Sequence, residues 1–275
     1  MKKIVIFILV FSTVLISCSR NQIHSNKESW KEIKVKSSNS SNKEEDKFKT
    51  AARVIGADVT GALAGGGFAA KYTIGNPWAI GICAVLVGGL SSYGASGVDN
   101  GQQASWPSSN SENEFVIEYN TLSNNNNWFN DKAIDHNSLM VNFAQEVNLL
   151  GRRLSINEAF EIAKNDPALD KYKLETNYIL EIQDVQMYLN IDGEIDLNLI
   201  RNESEFNHIN FQIIDSYLEN LNASSNVEDF INYSISFEES IASNIYLTKE
   251  EKNATLVFCA IGRASAIYWN NHDFD

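Results

Sequence analysis

The chain has 275 residues and a net charge of −13, a length that suits one or two domains. The charge is unevenly spread: residues 1–50 carry ten basic and five acidic side chains, residues 51–103 two of each, and residues 104–275 ten basic and 28 acidic ones. So acidic a C-terminal part repels phosphate backbones, which argues against nucleic acid as a partner, and it repels anionic lipid headgroups as well.

Lys2 and Lys3 open the chain, and an uncharged apolar block runs from Ile4 to Ile16. A positive start, a short apolar core and a small residue before the cut site describe an export signal. The block is shorter than the roughly 20 residues a spanning helix needs. Leu15-Ile16-Ser17-Cys18 then resembles a lipobox, the processing signal of bacterial lipoproteins. The resemblance implies removal of residues 1–17 and acylation of Cys18 by fatty acids such as palmitate. It implies a bacterial cell-envelope protein whose partner is membrane lipid, reached through the acylated Cys18. Ser19, by analogy with other lipoproteins, favours the outer membrane over the inner one.

Residues 18–50 are rich in Ser, Asn and Lys and read as a flexible tether. Residues 51–101 hold twelve of the fifteen glycines, with dense alanine between them. Gly75-Asn76-Pro77 marks a break, since Gly ends helices and Pro starts them. The expectation is a hairpin of two helices, about 51–73 and 77–95. Gly61 and Gly65 in the first arm, and Ala84 and Gly88 in the second, recur at four-residue spacing, as do Ser91 and Ala95. That spacing puts a smooth strip on one helix face, where backbones can approach closely. Lipobox plus hairpin is similar to the layout of glycine-zipper outer-membrane lipoproteins. The resemblance covers residues 1–18 and about 51–98, and it implies a location and an architecture rather than an activity.

Residues 102–127 read as a linker, with a short strand expected at 115–119 and the asparagine run Asn124–Asn127 at its end. From 128 to 271 the apolar residues recur at three- and four-residue steps. Leu139, Met140, Phe143, Val147 and Leu150 make one stripe, Tyr178 to Leu189 another. Phe206, Ile213 and Tyr217 make a third, Phe230, Ile231, Ile241 and Ile245 a fourth, and Leu256, Val257, Ile261 and Tyr268 a last one. Ser155/Glu158, Ser225/Glu228 and Thr248/Glu251 have capping spacing. The expected fold is all-α: the hairpin, followed by an acidic bundle of about six helices.

Candidate chemistry is sparse. His24 lies in the tether and His272 near the C-terminus. His136 reads as a surface or helix-end histidine, and no spacing ties it to His208 in a metal site. Asn190 to Asn198 around Gly193 is oxygen-rich, but EF-hand spacing fails, and a turn at Asp192-Gly193 accounts for the composition. Paired acids such as Glu238-Glu239 and Glu250-Glu251 are what an acidic helical surface contains. Cys83 and Cys259 sit in apolar stretches as small core residues, with a disulfide as the alternative. Trp269 is expected to cover the bundle core, with an exposed docking role as the alternative. No nucleophile, base and orienting group can be assembled, so no catalytic residue, metal or cofactor is expected.

Two functions stay open. One is a non-catalytic, lipid-anchored envelope protein with a structural or binding role, whose hairpin offers a surface for self-association or a protein partner. The other is a membrane-active effector or antibacterial toxin that inserts the hairpin. Pro77 to Val98 carries no charge and is long enough to span, whereas the first arm is uncharged only from Val59 to Ala70.

Overall fold

A computed structural model describes residues 28–36, 41–73, 75–96, 124, 127–167, 169–170, 186–189 and 195–270. Eight α-helices lie among them: α1 (Asn42–Tyr72), α2 (Pro77–Ala95), α3 (Asn130–Leu150), α4 (Ile156–Lys164), α5 (Leu197–Arg201), α6 (Phe211–Ala223), α7 (Val227–Ser243) and α8 (Lys249–Asn270). Ser29–Glu32 and Ser204–Phe206 form 3-10 turns. The fold is all-α. Among the described residues there is no strand, only an isolated antiparallel bridge between Leu189 and Ile195. That bridge flanks the turn expected at Asp192-Gly193. The turn itself lies outside the described residues, as do the signal, Cys18, His24, Trp106, the strand expected at 115–119, most of the stripe from Tyr178, and His272.

The first arm begins earlier than its glycines suggest. Ser41 caps α1, accepting from the Glu44 N–H while Glu44 accepts from the Ser41 N–H. Two polar turns therefore precede the expected start at residue 51, inside the stretch read as tether. Among their described side chains the one fully buried is Phe48, which meets the Phe230 ring at 6.3 Å. Residues 28–36 also belong to the body: Trp30 is buried, Ser29 Oγ lies 2.6 Å from Ser240 Oγ, and the Val35 N–H donates to Asn220 Oδ1. The turn after α1 follows the sequence closely. Gly75 takes φ +69°, and Asn76 caps α2 by accepting from the Trp78 N–H, with Pro77 in the first turn.

Close approach explains the glycine spacing. A Cβ on Gly61 would stand 2.6 Å from the Val87 carbonyl oxygen and 2.9 Å from Gly88 Cα. On Gly65 it would overlap the Cys83 carbonyl. On Gly66 it would lie 3.5 Å from Ala84 Cβ. The α1 and α2 backbones thus meet along this seam, with Ser91 and Val87 of α2 packed directly on the glycines of α1.

The hairpin sits in the middle of the protein. Every residue from Ala79 to Ala95 of α2 and from Asn253 to Trp269 of α8 is buried. α8 lies against α1, where Gly262 gives room to Val59 and Gly66 to Val257. α3 runs beside α2 in the same direction, with Lys132 over Gly81 and Leu139 over Gly89. α6 and α7 cover α1 and α8 from the acidic side of the sequence. Hairpin and acidic helices share one hydrophobic core, so the helices of 128–271 do not close their core without α1 and α2. Among the described residues, Pro77–Ala95 is the helix long and apolar enough to cross a membrane, and 94% of its apolar window is buried inside the protein.

Capping holds at Ser155/Glu158 and Thr248/Glu251, where both reciprocal bonds form. At α7 the cap is one residue later than expected: Asn226 Oδ1 accepts from the Asp229 N–H. Cys83 and Cys259 are buried thiols that are not joined in a disulfide.

Candidate functional site

Polar side chains concentrate in two sealed clusters on either side of α8. The first centres on Asp58 of α1, fully buried. Its Oδ1 is 3.0 Å from His136 Nε2 of α3, and its Oδ2 accepts from Ser265 Oγ and, at 3.2 Å, from Trp269 Nε1 of α8. Gly88 of α2 supplies the space, since a Cβ there would lie 3.3 Å from the imidazole. The other ring nitrogen, Nδ1, is 3.0 Å from Asn137 Oδ1. The Asn137 amide is oriented by its own Nδ2, which donates to the Ala264 carbonyl. Both imidazole nitrogens therefore face acceptors, the arrangement of an imidazolium. Burial pushes the imidazole pKa down, but the Asp58 charge and hydrogen bond, with Asn137 and the Gly88 backbone, outweigh it and raise His136 above its ordinary value.

The second cluster centres on Glu238 of α7. Arg263 of α8 donates from Nε to Glu238 Oε1 at 2.6 Å and from a terminal nitrogen to Oε2 at 3.2 Å. Asn124 and Asn127 each donate to Oε2 at 3.0 Å, and Ser234 donates to Oε1 at 3.2 Å. Arg263 also donates to Asn130 Oδ1 at 2.7 Å, and Tyr217 Oη meets Ser234 Oγ at 2.6 Å. Both charged side chains are fully buried. A buried ion pair tolerates its loss of water only when the remaining lone pairs and protons are satisfied, and here asparagine and serine side chains satisfy them.

Three sequence expectations change. His136 is in the core rather than on the surface. Glu238 anchors a buried network, while its neighbour Glu239 stays exposed. Asn124 and Asn127, read as the end of a linker, are buried clamps on Glu238, and Asn127 further donates to the Leu256 carbonyl. Asn137, Arg263 and Ser265 were not singled out by spacing. An arginine at mid-helix, flanked by Ala260, Ile261, Ala264 and Ala266, was the available signal. Trp269 is 1% exposed and covers the core.

The chemistry these groups offer is narrow. Ser265, His136 and Asp58 are residue types of a hydrolytic triad, but Ser265 donates to the carboxylate and not to the imidazole. In a triad the histidine must bond the nucleophile to take its proton. Burial pushes the Cys259 thiol pKa well up, with Glu238 adding to it, which keeps the sulfur protonated and inert. His208 lies against Gly67, nine residues along α1 from Asp58 and so about 13 Å from the His136 site. The two histidines are not brought together. Among the described residues no group of three His, Cys, Asp or Glu is placed to hold a metal ion. Gly61, Gly65, Ala84 and Gly88 line the helix seam rather than a cleft.

Comparison with family models, with curated proteins and with solved structures returns no match.

Proposed function

We propose that the chain is a lipid-anchored protein of the bacterial cell envelope, held by acylated Cys18, more at the outer than the inner membrane, whose helical body works by binding or by structural support rather than by catalysis. The observation that carries this reading is the Leu15-Ile16-Ser17-Cys18 sequence after a charged and apolar leader. The body's architecture supports it: the clustered polar groups are consumed by one another inside the core. The small faces of the hairpin are taken up by helices of the same chain, which favours the outer surface of the body for any protein partner. Mass spectrometry of the mature N-terminus should find an acylated cysteine. A Cys18→Ala chain whose leader is replaced by a signal cleaved without lipidation should move from the membrane to the soluble fraction. An intact Met1 in the native chain, or a signal-replaced Cys18→Ala chain that stays in the membrane, refutes the proposal.

The second reading, a membrane-active effector, is favoured by one feature, the charge-free length of α2. Insertion would require α2 to leave Gly61, Gly65 and the imidazole of His136. Dye release from vesicles by the unacylated chain is the test, and release at stoichiometric protein would favour insertion over the anchored body.

A further inference from the structure

We infer that the end of the bundle at the α1–α2 turn is a lipid-facing surface, which seats the body on the membrane in which Cys18 is anchored. The inference rests on the anchored reading above and adds an orientation to it. Five large apolar side chains stand exposed at this end: Tyr72 at 50%, Trp78 at 39%, Trp128 at 52%, Ile245 at 72% and Tyr246 at 42%. They come from three separate places in the sequence, the α1–α2 turn, the approach to α3 and the α7–α8 loop. The core packing brings them to one end, because Asn253 of α8 donates to the Gly75 carbonyl and α3 begins beside α2. A groove of about 390 Å³ opens among them, lined by Pro77, Trp128, Leu247, Lys249, Lys252 and Asn253.

Trp and Tyr with lysines beside them suit the headgroup level of a bilayer, where an apolar ring body and a polar tip are both accommodated. The lysines are present. Lys132 Nζ lies 4.5 Å from the Trp78 ring centre and Lys71 Nζ 5.3 Å from that of Tyr72, with Lys249 and Lys252 at the groove. Acids stand beside these lysines: Asp131 precedes Lys132, Glu250 and Glu251 lie between Lys249 and Lys252, and Glu205 follows Ser204, whose carbonyl accepts from Lys71. Charges of both signs thus border the rings, a mixture that suits zwitterionic headgroups.

The path of the chain agrees. Ser29 touches Ser240, three residues before the end of α7 at Ser243 and so about 4.5 Å from it along the helix. From there the chain runs away from this end: Lys34 pairs with Glu219 and Val35 bonds Asn220, near the far end of α6. Glu28 is therefore the described residue where the anchored segment arrives, on the aromatic side. Cys18 is ten residues before it, a reach of at most about 35 Å when fully extended. A tether that short keeps this end of the body close to the lipid. The opposite end, with Leu149 and Arg152, is a helix length further away.

The test uses the full acylated chain in vesicles of phosphatidylethanolamine and phosphatidylcholine. Nitroxide labels are placed at Ile245→Cys and, separately, at Leu149→Cys, positions 72% and 78% exposed; Cys83 and Cys259 are fully buried and stay unlabelled. Collision with oxygen, which concentrates in lipid, is compared with collision with a water-soluble nickel chelate. The label at 245 should read lipid and that at 149 water. Trp78→Ser with Trp128→Ser should return the 245 label to water while the chain remains acylated, vesicle-bound and helical. An acylated chain whose two labels are equally aqueous overturns the docking and leaves the anchor standing. A 245 label that is immobilised yet shielded from oxygen points to a protein partner and also overturns it, as does a 245 label that stays in lipid without the two tryptophans. A chain recovered without acylation overturns both the anchor and the orientation drawn from it.

Discussion

Gly56 and Gly65 lie on the same helix, and the same substitution at the two should change stability in opposite directions. Alanine in a helix interior is favoured over glycine by roughly 1 kcal/mol. At Gly56 the new methyl would meet Leu221 Cδ2 at 3.9 Å and Leu218 Cδ2 at 4.0 Å, ordinary contact distances. Gly56→Ala should therefore stabilise by about 0.5–1 kcal/mol. At Gly65 the methyl would stand 2.6 Å from the Cys83 carbonyl carbon and 2.8 Å from Val87 Cγ2. Normal separation is about 3.5–4.0 Å, so α1 and α2 must part by about 1 Å, and backbone cannot rotate aside as a side chain can. Overpacking of this kind costs up to about 3 kcal/mol. Set against the propensity gain, Gly65→Ala should destabilise by about 2 kcal/mol, leaving about 3 kcal/mol between the two variants. For a body of this size that is roughly 6–12 °C in melting temperature. Urea and thermal melts of the purified chain followed by far-ultraviolet circular dichroism measure it. If Gly65→Ala is as stable as Gly56→Ala, the seam is not closed and the packing argument fails.

Arg263→Met should cost about 3–5 kcal/mol by leaving the Glu238 carboxylate buried without its cation, and adding Glu238→Gln should recover much of that loss; urea melts of the single and double variants decide, and a double variant no better than the single would sever the pair. The raised pKa of His136 sets a pH dependence. The unfolded imidazole titrates near about 6.5. The stabilisation from the His136–Asp58 ion pair is therefore complete below that value and is lost as pH rises through the higher folded value. The stability gap between the native chain and His136→Gln should narrow as pH rises from the unfolded imidazole's value near about 6.5 through the higher folded value; a gap that is constant or widens contradicts the imidazolium assignment.

Much of the helical architecture could be read from periodicity, because burial imposes it: the Phe143, Tyr217, Phe230 and Leu256 stripes face the core, except at Leu150 and Ile245 near the helix ends, which are exposed. The α1–α2 turn was readable at the residue level, since Gly75, Asn76 and Pro77 each do there what their backbone chemistry favours. The first turns of α1 were not. Their composition is that of a solvated chain, and the cap at Ser41 and the one buried ring at Phe48 are too small a signal to stand out. The candidate site was the least legible part. His136 looks polar in sequence because its partner Asp58 is 78 positions away, and no local pattern reports a pair closed by tertiary packing. The same holds for Asn124 and Asn127, whose composition suggests a loop and whose hydrogen bonds make them part of the core.

The two polar clusters and the glycine seam solve one problem between them. A helix surface of glycine and alanine allows backbones to touch, but it offers few knobs to fix how far one helix slides along another. Asp58, Gly88, His136 and Ser265 join α1, α2, α3 and α8 at one point. Tyr217, Glu238, Arg263 and Asn130 join α6, α7, α8 and α3 at another. A slip of α1 by a single turn, about 5.4 Å, would carry Asp58 out of reach of His136, Ser265 and Trp269 together and leave buried charges unpaired. Leaving such a charge unpaired costs several kcal/mol, in addition to the overlap that a shifted seam creates at the glycine positions. The smooth faces supply closeness and the charged clusters supply register. Each polar group of the two clusters is thereby held by the others at the junction of the helices it positions.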